Sequence, residues 1–432
     1  MKIIVIDDDP TGSQTVHSCL LLLNWDLETL LIGLEDQSNI FFILSNTRAL
    51  DSKAAAGVTR EICHNLKLAL AQSKEDFLIV SRSDSTLRGH YPLETDVITR
   101  EFGGFDAHFL LPAFFEGGRI TKNSVHYLLI NGIPTPVEQT EFAKDSVFSF
   151  KHSYLPDYVE EKTQGSIKAE QVKRFLINDI RQGSLNRLMQ LSHNTCVVVD
   201  GEQQSDFDLF ASDLIQAVKQ GKRFLLRSAA SILTSLAKLG PQKIPSEQMA
   251  QYKRTSQPGV ILVGSHVSKT TQQLKELLLE PDIAPIEIDV KLLRDEPKSR
   301  AQLLETIEKN IKLAHKKELT PVIYTSRDEL IFDNIESRLS FGASISAFLM
   351  DIVKQLPTNL SFLISKGGIT SNDVLSVGLN LRTARLLGQI LPGCSLVKTE
   401  ADHPLFPNLP IVLFPGNVGD QKALVTVYHR LK

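Results

Sequence analysis

Short apolar runs alternate with longer amphipathic stretches along most of the sequence. This alternation is typical of an α/β fold, in which buried strands are joined by helices that cover the sheet. The predicted strands lie at 3–6, 19–23, 41–44, 77–80, 109–111, 197–199, 224–226, 260–263, 285–288, 321–324, 362–364 and 411–414. The clearest predicted helices lie at 269–279, 300–317 and 343–356. We therefore predict an α/β protein with mainly parallel sheets.

One stretch interrupts this alternation. Residues 239–259 contain three prolines and two glycines with almost no apolar periodicity, as a linker would. A chain of 432 residues also exceeds the size at which a single hydrophobic core usually stops growing. We predict two α/β domains at 1–240 and 259–432, a linker at 241–258, and a ligand cleft between the domains.

Charge and cysteine content narrow the class of protein. The net charge is -3, from 47 basic and 50 acidic residues, so nothing favours nucleic acid or an anionic membrane as a partner. No apolar run reaches membrane-spanning length, and the carboxylates from Asp7 onwards end the first run too early for a secretory signal. The four cysteines form no CxxC pair, which fits reduced thiols. We expect a cytoplasmic protein.

Three consecutive carboxylates follow the first predicted strand. Asp7, Asp8 and Asp9 enter a turn at Pro10 and Gly12, where glycine permits a close approach of the backbone to a ligand. They could act as a general base for a hydroxyl proton, as magnesium ligands or as acceptors for sugar hydroxyls. The alternative is a solvated turn in which one aspartate caps the next helix.

A second polar segment, residues 81–90, also follows a predicted strand. It contains Arg82, Ser83, Asp84 and Arg88. Arginine presents a planar fork that binds a carboxylate through two hydrogen bonds, while aspartate and serine suit hydroxyl groups. A polyhydroxy carboxylate would therefore fit this segment. The alternative is a loop that is held together by an internal arginine–aspartate pair.

Weaker signals lie near these two segments. Arg119 ends the polar segment 112–119 on a glycine turn and could join the same site. His17, His90 and His126 lack the spacing of zinc ligands. We interpret these histidines as substrate contacts or structural residues, and favour a structural role for His126.

The second half contains three glycine turns after predicted strands. Glycine lets the backbone approach a phosphate, and free amides at the start of a helix can bind it. One such turn is more often a simple cap, but three in one domain favour a nucleotide site. The residues assigned to it are Ser265, Lys366, Gly367, Gly368, Ile369, Thr370, Gly416 and Asn417. There is no GxxxxGK[ST] sequence and no GxGxxG opening a βαβ unit, so P-loop and dinucleotide-binding folds are not supported.

Together these segments resemble the four-carbon acid sugar kinase family. The stretches that carry the resemblance are DDDPTGSQT, SRSDSTLRGHYPLE, PAFFEGGRIT, GSHVSKTT, SKGGITSND and FPGNVGD, in chain order. The resemblance implies an N-terminal acid-sugar-binding domain, a C-terminal nucleotide-binding domain and ATP-dependent phosphorylation of threonate, erythronate or 3-oxo-tetronate, typically at the terminal hydroxyl. Relatives often have Gly-Asn where this chain has Gly89-His90, and a GGETS-like loop where it has Gly-Gly-Ile-Thr-Ser. The exact substrate therefore stays open.

The resemblance also implies roles by position. ATP would contact Ser265, residues 367–370 and Gly416. The substrate contacts would be among Asp8, Arg82, Asp84 and Arg88. We expect ATP and Mg²⁺ as cofactors and Asp8 or Asp84 as the base. Arg82 and Arg88 would hold the substrate carboxylate, with Asp7, Ser83 and Arg119 as further contacts. Lys366 would neutralise phosphate charge, or else is an exposed lysine. A homodimer is a further expectation.

Two other functions remain open. Asp7-x-Asp9-x-Thr11 after a strand matches the DxDxT pattern of aspartyl-phosphate phosphatases, in which the first aspartate is the nucleophile. This interpretation leaves the glycine turns of the second half unexplained. The chain could also be a non-catalytic sensor that binds a sugar acid without a nucleotide.

Overall fold

A computed structural model describes residues 1–294, 297–327, 330 and 335–432 of the chain. Within them the chain divides into two compact units, Met1–Pro241 and Gln242–Lys432. Among these described residues, no helix combines the length and the apolar character needed to cross a lipid bilayer.

The first unit is built on a parallel sheet. The strands of this unit are β1 (Lys2–Asp7), β2 (Leu20–Leu22), β3 (Ile40–Leu44), β4 (Phe77–Arg82), β5 (Ala107–Leu111), β6 (Arg119–Lys122), β7 (Val125–Ile130), β8 (Ile133–Pro136), β9 (Lys173–Phe175), β10 (Thr195–Val199) and β11 (Phe224–Ser228). The parallel sheet has the order β2-β3-β1-β4-β11-β5-β10-β9, and β6, β7 and β8 form a separate antiparallel sheet. Strands β1 and β3 are buried along their whole length, as expected where helices cover both faces of a parallel sheet.

Amphipathic helices connect these strands. They are α1 (Leu27–Glu35), α2 (Ser52–Ser73), α3 (Leu93–Phe102), α4 (Leu155–Lys162), α5 (Ile177–Gln182), α6 (Leu185–Met189), α7 (Gln204–Lys219) and α8 (Ser231–Ala237). Helix α2 begins after Asp51, whose carboxylate accepts a hydrogen bond from the Ala54 amide. Its residues Ile62 and Leu66 pack into the same core as Phe41 of β3. One helical face is thus buried against the sheet.

The second unit repeats this arrangement with an antiparallel addition. Its strands are β12 (Val260–Val263), β13 (Ile283–Ile288), β14 (Thr320–Thr325), β15 (Leu363–Lys366), β16 (Thr383–Leu391), β17 (Cys394–Lys398) and β18 (Pro410–Phe414), and its helices are α9 (Ser268–Leu277), α10 (Pro297–Lys316), α11 (Ile335–Lys354), α12 (Gly368–Asp373) and α13 (Ala423–Leu431). The strand order is β13-β14-β12-β15-β18-β17-β16. Strands β13, β14, β12, β15 and β18 run parallel to one another. Strand β17 runs antiparallel to β18, and β16 runs antiparallel to β17.

The predicted fold class is confirmed, because every predicted strand position carries a strand and the sheets are mainly parallel. The β16–β17 hairpin and the β6–β8 sheet were not predicted. Buried and partly exposed residues alternate along β16, so it has no continuous apolar run to detect. The segment 242–258 belongs to the second unit and contains the 3-10 helix Ser246–Tyr252, whose Met249 is fully buried in that unit's core.

Parallel order places the polar segments together. In the first unit β3, β1, β4 and β11 are neighbours, so the residues after Leu44, Asp7, Arg82 and Ser228 meet at one sheet edge. In the second unit β14, β12, β15 and β18 are neighbours, so the turns after these strands also share one edge. Ligand sites of open α/β sheets lie at such carboxyl edges.

Candidate functional site

Asp7 and Arg82 form a buried pair beneath the edge of the first sheet. Arg82 Nη1 lies 3.3 Å from Asp7 Oδ1, and the Asp7 residue is fully buried. A Cβ at Gly12 would lie 2.0 Å from Asp7 Oδ2, so the turn closes over this carboxylate only because residue 12 is glycine. Burial raises the pKa of Asp7 to about 7, against the opposing charge of Arg82. The geometry therefore makes Asp7 part of the scaffold and does not favour it as a phosphatase nucleophile.

Arg48 joins three carboxylates at the surface of the site. It forms ion pairs with Asp8 and with Asp9, the latter at 2.9 Å, and its Nη1 lies 4.0 Å from Asp84 Oδ1. Although burial alone would raise the pKa of Asp9, the Arg48 guanidinium and hydrogen bonds from Thr11 together lower it. Sequence reasoning gave this arginine no role.

Asp84 and Arg88 form a second pair, at the mouth of the site. Arg88 Nε donates to Asp84 Oδ2 at 2.9 Å, and the guanidinium lies 4.9 Å from the centre of the Phe142 ring. Burial opposes ionisation of Asp84, but Arg48 and Arg88 outweigh it and hold the pKa of this carboxyl well below its usual range. These two arginines favour the charged form of Asp84, which accepts hydrogen bonds. The side chain of Arg88 is 24% exposed, so it can still meet a ligand.

Ser83 connects the aspartates to a third arginine. Its hydroxyl donates to Asp8 Oδ2 at 2.6 Å and accepts from Arg227 Nη2 at 2.8 Å. Arg227 in turn donates to Glu94 Oε2 at 2.6 Å, and all of these groups are buried. The result is a continuous charged network across strands β1, β4 and β11. Arg227 was another residue to which sequence reasoning gave no role.

A pocket opens beside this network. It has about 330 Å³ of empty space, including its open mouth. Its lining consists of Ser83, Asp84, Arg88, Arg227 and Ser228 on the polar side and Leu87, Tyr91, Leu110, Pro112 and Tyr158 on the apolar side. Within the described part of the chain, the buried Ser228 Oγ has no hydrogen-bond partner. A buried hydroxyl without a partner is unusual, and it marks Ser228 as a candidate ligand contact of this pocket.

The remaining predicted residues of the first unit lie outside this lining. Arg119 stacks near the Phe114 ring at 5.9 Å, and among the described residues its Nε finds no hydrogen-bond partner. His90 Nε2 lies 3.0 Å from the Leu50 carbonyl. His126 is fully buried between Thr121 and Ser85, which supports the structural role. His17 lies 2.7 Å from the Gly240 carbonyl.

The glycine turns of the second unit pack directly against one another. The amides of Gly264 and Ser265 both donate to the Lys366 carbonyl at 3.2 Å, and the Gly367 amide donates to the Phe414 carbonyl at 2.8 Å. These amides hold the turns together and are not free for a ligand. A Cβ at Gly416 would lie 2.9 Å from Ser265 Oγ, so this hydroxyl sits where the turns meet.

Gly367 has a backbone conformation that favours glycine. Its φ of +128° is rarely adopted by residues with a side chain. A Cβ there would lie 3.2 Å from Ser265 Cβ and 3.0 Å from Thr370 Oγ1. Beyond it, Ile369 and Asn417 are exposed and Gly368 is partly exposed. Together with the partly exposed Ser265 and Gly416, these residues are the part of the predicted nucleotide set that can reach a ligand.

Lys366 is not an exposed lysine, because it is fully buried. Its ammonium donates to the carbonyls of Pro415 at 2.6 Å and Gly416 at 3.2 Å, and lies 3.8 Å from the centre of the Phe414 ring. Burial lowers the pKa of Lys366 to about 7. The structure thus places this lysine beneath the turn at 415–416, where it braces the backbone.

Two family models match the chain. One describes a sugar-binding N-terminal domain and matches residues 3–236, and the other describes a nucleotide-binding C-terminal domain and matches residues 260–424. The chain belongs to the four-carbon acid sugar kinase family. The predicted resemblance is confirmed, and the charged network lies in the sugar-binding domain of this family.

Curated members of the family are distant relatives. The chain is 24% identical over 309 residues to the D-erythronate kinase of Heliobacterium modesticaldum (strain ATCC 51547 / Ice1). This alignment covers 71% of this chain and 66% of that protein. The chain is also 26% identical over 160 residues to the D-threonate kinase of Bordetella bronchiseptica (strain ATCC BAA-588 / NCTC 13252 / RB50). That alignment covers 35% of this chain and 37% of that protein. The chain thus matches slightly less than two thirds of the first relative.

Two solved structures share the fold along nearly the whole chain. A Salmonella typhimurium LT2 protein, provisionally described as a tRNA synthase, has a TM-score of 0.71 at 18% identity and covers 98% of both chains. Haemophilus influenzae protein HI1011 has a TM-score of 0.66 at 17% identity and covers 99% of this chain and 100% of its own. At these identities the likeness concerns the fold alone.

Proposed function

We propose that this protein is an ATP-dependent kinase that phosphorylates the terminal hydroxyl of a four-carbon sugar acid such as threonate, erythronate or 3-oxo-tetronate. The observation that carries the proposal is the pocket in the sugar-binding domain, whose lining includes Arg88, Asp84 and Ser228, the last with a buried hydroxyl that has no hydrogen-bond partner among the described residues. Such a lining suits a ligand that has both a carboxylate and hydroxyl groups.

In this proposal Arg88 binds the substrate carboxylate. It lines the pocket and is partly exposed, whereas Arg82 is buried and paired with Asp7. Asp84 and Ser228 take substrate hydroxyls. The arginines around Asp84 hold its pKa low, so this carboxylate is a weak base. Its main role is to orient the attacking hydroxyl of the substrate, and it does not remove the hydroxyl proton before the phosphoryl group is transferred. Phosphoryl transfer depends mainly on position and charge, so a weak base is sufficient.

We assign ATP to the turns of the nucleotide-binding domain. Of the predicted contacts, Ser265, Gly368, Gly416 and Asn417 are at least partly exposed, and they can meet ATP through a side chain or through backbone. Among the described residues no group of three or more His, Cys, Asp or Glu side chains could hold a metal ion. Mg²⁺ fits this protein as part of the MgATP complex, since it binds phosphate oxygens and retains several waters.

An assay of ADP release tests the proposal. Purified protein is incubated with ATP, Mg²⁺ and each of threonate, erythronate and 3-oxo-tetronate, and we expect ADP and a phosphorylated acid only when all components are present. Asp84→Asn should reduce turnover by about 100-fold or more, since it removes the charge that orients the hydroxyl. Release of phosphate from a sugar phosphate without ATP would instead support the phosphatase. Binding of a sugar acid without any affinity for ATP would support the sensor.

A further inference from the structure

Arg327 stands beside the nucleotide turns and was not singled out by the sequence. It follows β14, which pairs with β12, and β12 leads into Gly264 and Ser265. Arg327 Nη1 donates to the Ser265 carbonyl at 2.5 Å. This bond uses one corner of the guanidinium, and Nε and Nη2 form its opposite edge.

The Nε–Nη2 edge of Arg327 carries the argument for a ligand. Both nitrogens are buried, and among the residues that the structure describes neither has a hydrogen-bond partner. Within the described ranges, the Glu287 carboxylate near this guanidinium accepts a hydrogen bond from the Tyr324 hydroxyl at 3.5 Å. A buried cationic donor without a partner is unfavourable, so this edge is suited to an anionic ligand.

We propose that the Nε–Nη2 edge of Arg327 binds two oxygens of the nucleotide's polyphosphate next to Ser265. The inference rests on the proposed function and deepens it, because it identifies a charge-bearing contact for the phosphates. Two parallel N–H groups match the spacing of phosphate oxygens, which a lysine ammonium does not. Lys366, expected to neutralise this charge, is buried and bonded to the Pro415 and Gly416 carbonyls.

The test measures binding of ATP, ADP, AMP and inorganic triphosphate by isothermal titration calorimetry. Arg327→Gln should weaken ATP and triphosphate binding by about 10- to 100-fold, the usual range for lost hydrogen bonds to charged groups. AMP binding should change by less than about 3-fold, since it lacks the outer phosphates. Arg327→Lys should recover only part of the loss. Lys275→Gln, which removes an exposed positive charge from α9 of the same unit, is the matched control and should bind ATP normally.

The outcomes separate this inference from the proposed function. If the unchanged protein binds no ATP, the proposed function fails and the inference fails with it. If it binds ATP and Arg327→Gln binds equally well, only the inference is overturned. An equal loss for AMP and ATP would also contradict it, because Arg327 would then act through the shape of the turn. Should Arg327→Gln not fold, Arg327→Lys decides: unchanged ATP affinity refutes the inference, and a loss of more than about 5-fold supports it.

Discussion

The two candidate sites occupy equivalent sheet edges but are built from different groups. In the first unit Asp7, Asp8, Asp9, Asp84 and Glu94 each lie against an arginine, so the site is a network of paired side-chain charges. In the second unit the site consists of backbone turns that pack on one another, with Lys366 beneath them. One edge is defined by side chains and the other by main chain.

This difference fits the difference between the two proposed ligands. A sugar acid carries several hydroxyls in one stereochemical arrangement, and a fixed network of paired charges can distinguish such arrangements because unmatched polar groups are costly. A polyphosphate is a chain of similar anionic groups. Backbone that approaches it closely, together with a few cationic side chains, is enough to bind it. Substitutions in the two edges should therefore affect different ligands.

The largest expected effect concerns Gly367. Gly367→Val places a branched side chain at a φ of +128° and against Ser265, so the turn must rearrange. We expect ATP affinity to fall by about 100-fold, which corresponds to roughly 3 kcal/mol of strain and lost contacts. Sugar-acid binding, measured by calorimetry on the same sample, should stay within about 2-fold because the first site is untouched.

Gly342→Ala is the matched control for this substitution. Gly342 lies in α11, is exposed, and a Cβ there would meet no atom within 4 Å. Alanine in a helix interior should leave ATP affinity unchanged and raise stability by about 0.5–1 kcal/mol. An equal loss of both ligands in Gly367→Val would show that the two edges are not independent, and the comparison would be wrong.

The next effect concerns Arg88, at the other edge. Arg88→Ala removes the exposed guanidinium at the pocket mouth and should raise the KM for the sugar acid by about 30-fold, as expected for a charged hydrogen bond. Steady-state kinetics at saturating acid should show the KM for ATP within about 2-fold of its original value. Arg60→Ala, which removes an exposed arginine from α2, should change neither constant. A parallel rise in both KM values would contradict the assignment of Arg88 to the sugar acid.

The sequence predicted the positions of these edges better than their internal chemistry. Continuous apolar runs identify buried parallel strands, and the polar residues that follow such strands must meet at one edge. The pairing of those residues depends on tertiary contacts that no local pattern encodes. Arg48 and Arg327 therefore received no role, although each follows a strand. Lys366 was predicted to neutralise phosphate charge, and the structure shows it buried beneath the turn, where its ammonium donates to the carbonyls of Pro415 and Gly416.

A smaller effect concerns the pH dependence of stability in the first site. The pKa of Asp7 is about 7 in the folded protein and lies near its ordinary, lower value when unfolded. The folded state therefore binds this proton more tightly, and the free energy of unfolding falls as pH rises from about 4 to about 7. Asp7→Asn cannot ionise and lacks this dependence.

Urea unfolding of both proteins at pH 5 and pH 8 measures this contribution. The stability advantage of the unchanged protein over Asp7→Asn should shrink by about 2–3 kcal/mol between these pH values. Asp51→Asn, at the exposed cap of α2, serves as the control and should show no comparable change with pH. A difference that grows with pH would mean that the Arg82 charge dominates over burial at Asp7.

The smallest expected effect separates Ser228, which we propose binds the ligand, from Ser83, which stabilises the charged network. Ser228 Oγ is buried and unpaired among the described residues, so Ser228→Ala should change the free energy of unfolding by less than about 0.5 kcal/mol. It should still raise the KM for the sugar acid by about 5-fold, the usual value of one neutral hydrogen bond. Ser83→Ala should behave differently, because Ser83 bonds both Asp8 and Arg227 and its loss should reduce stability by about 1–3 kcal/mol. If Ser228→Ala left the KM unchanged, the substrate hydroxyls would not lie against this wall of the pocket.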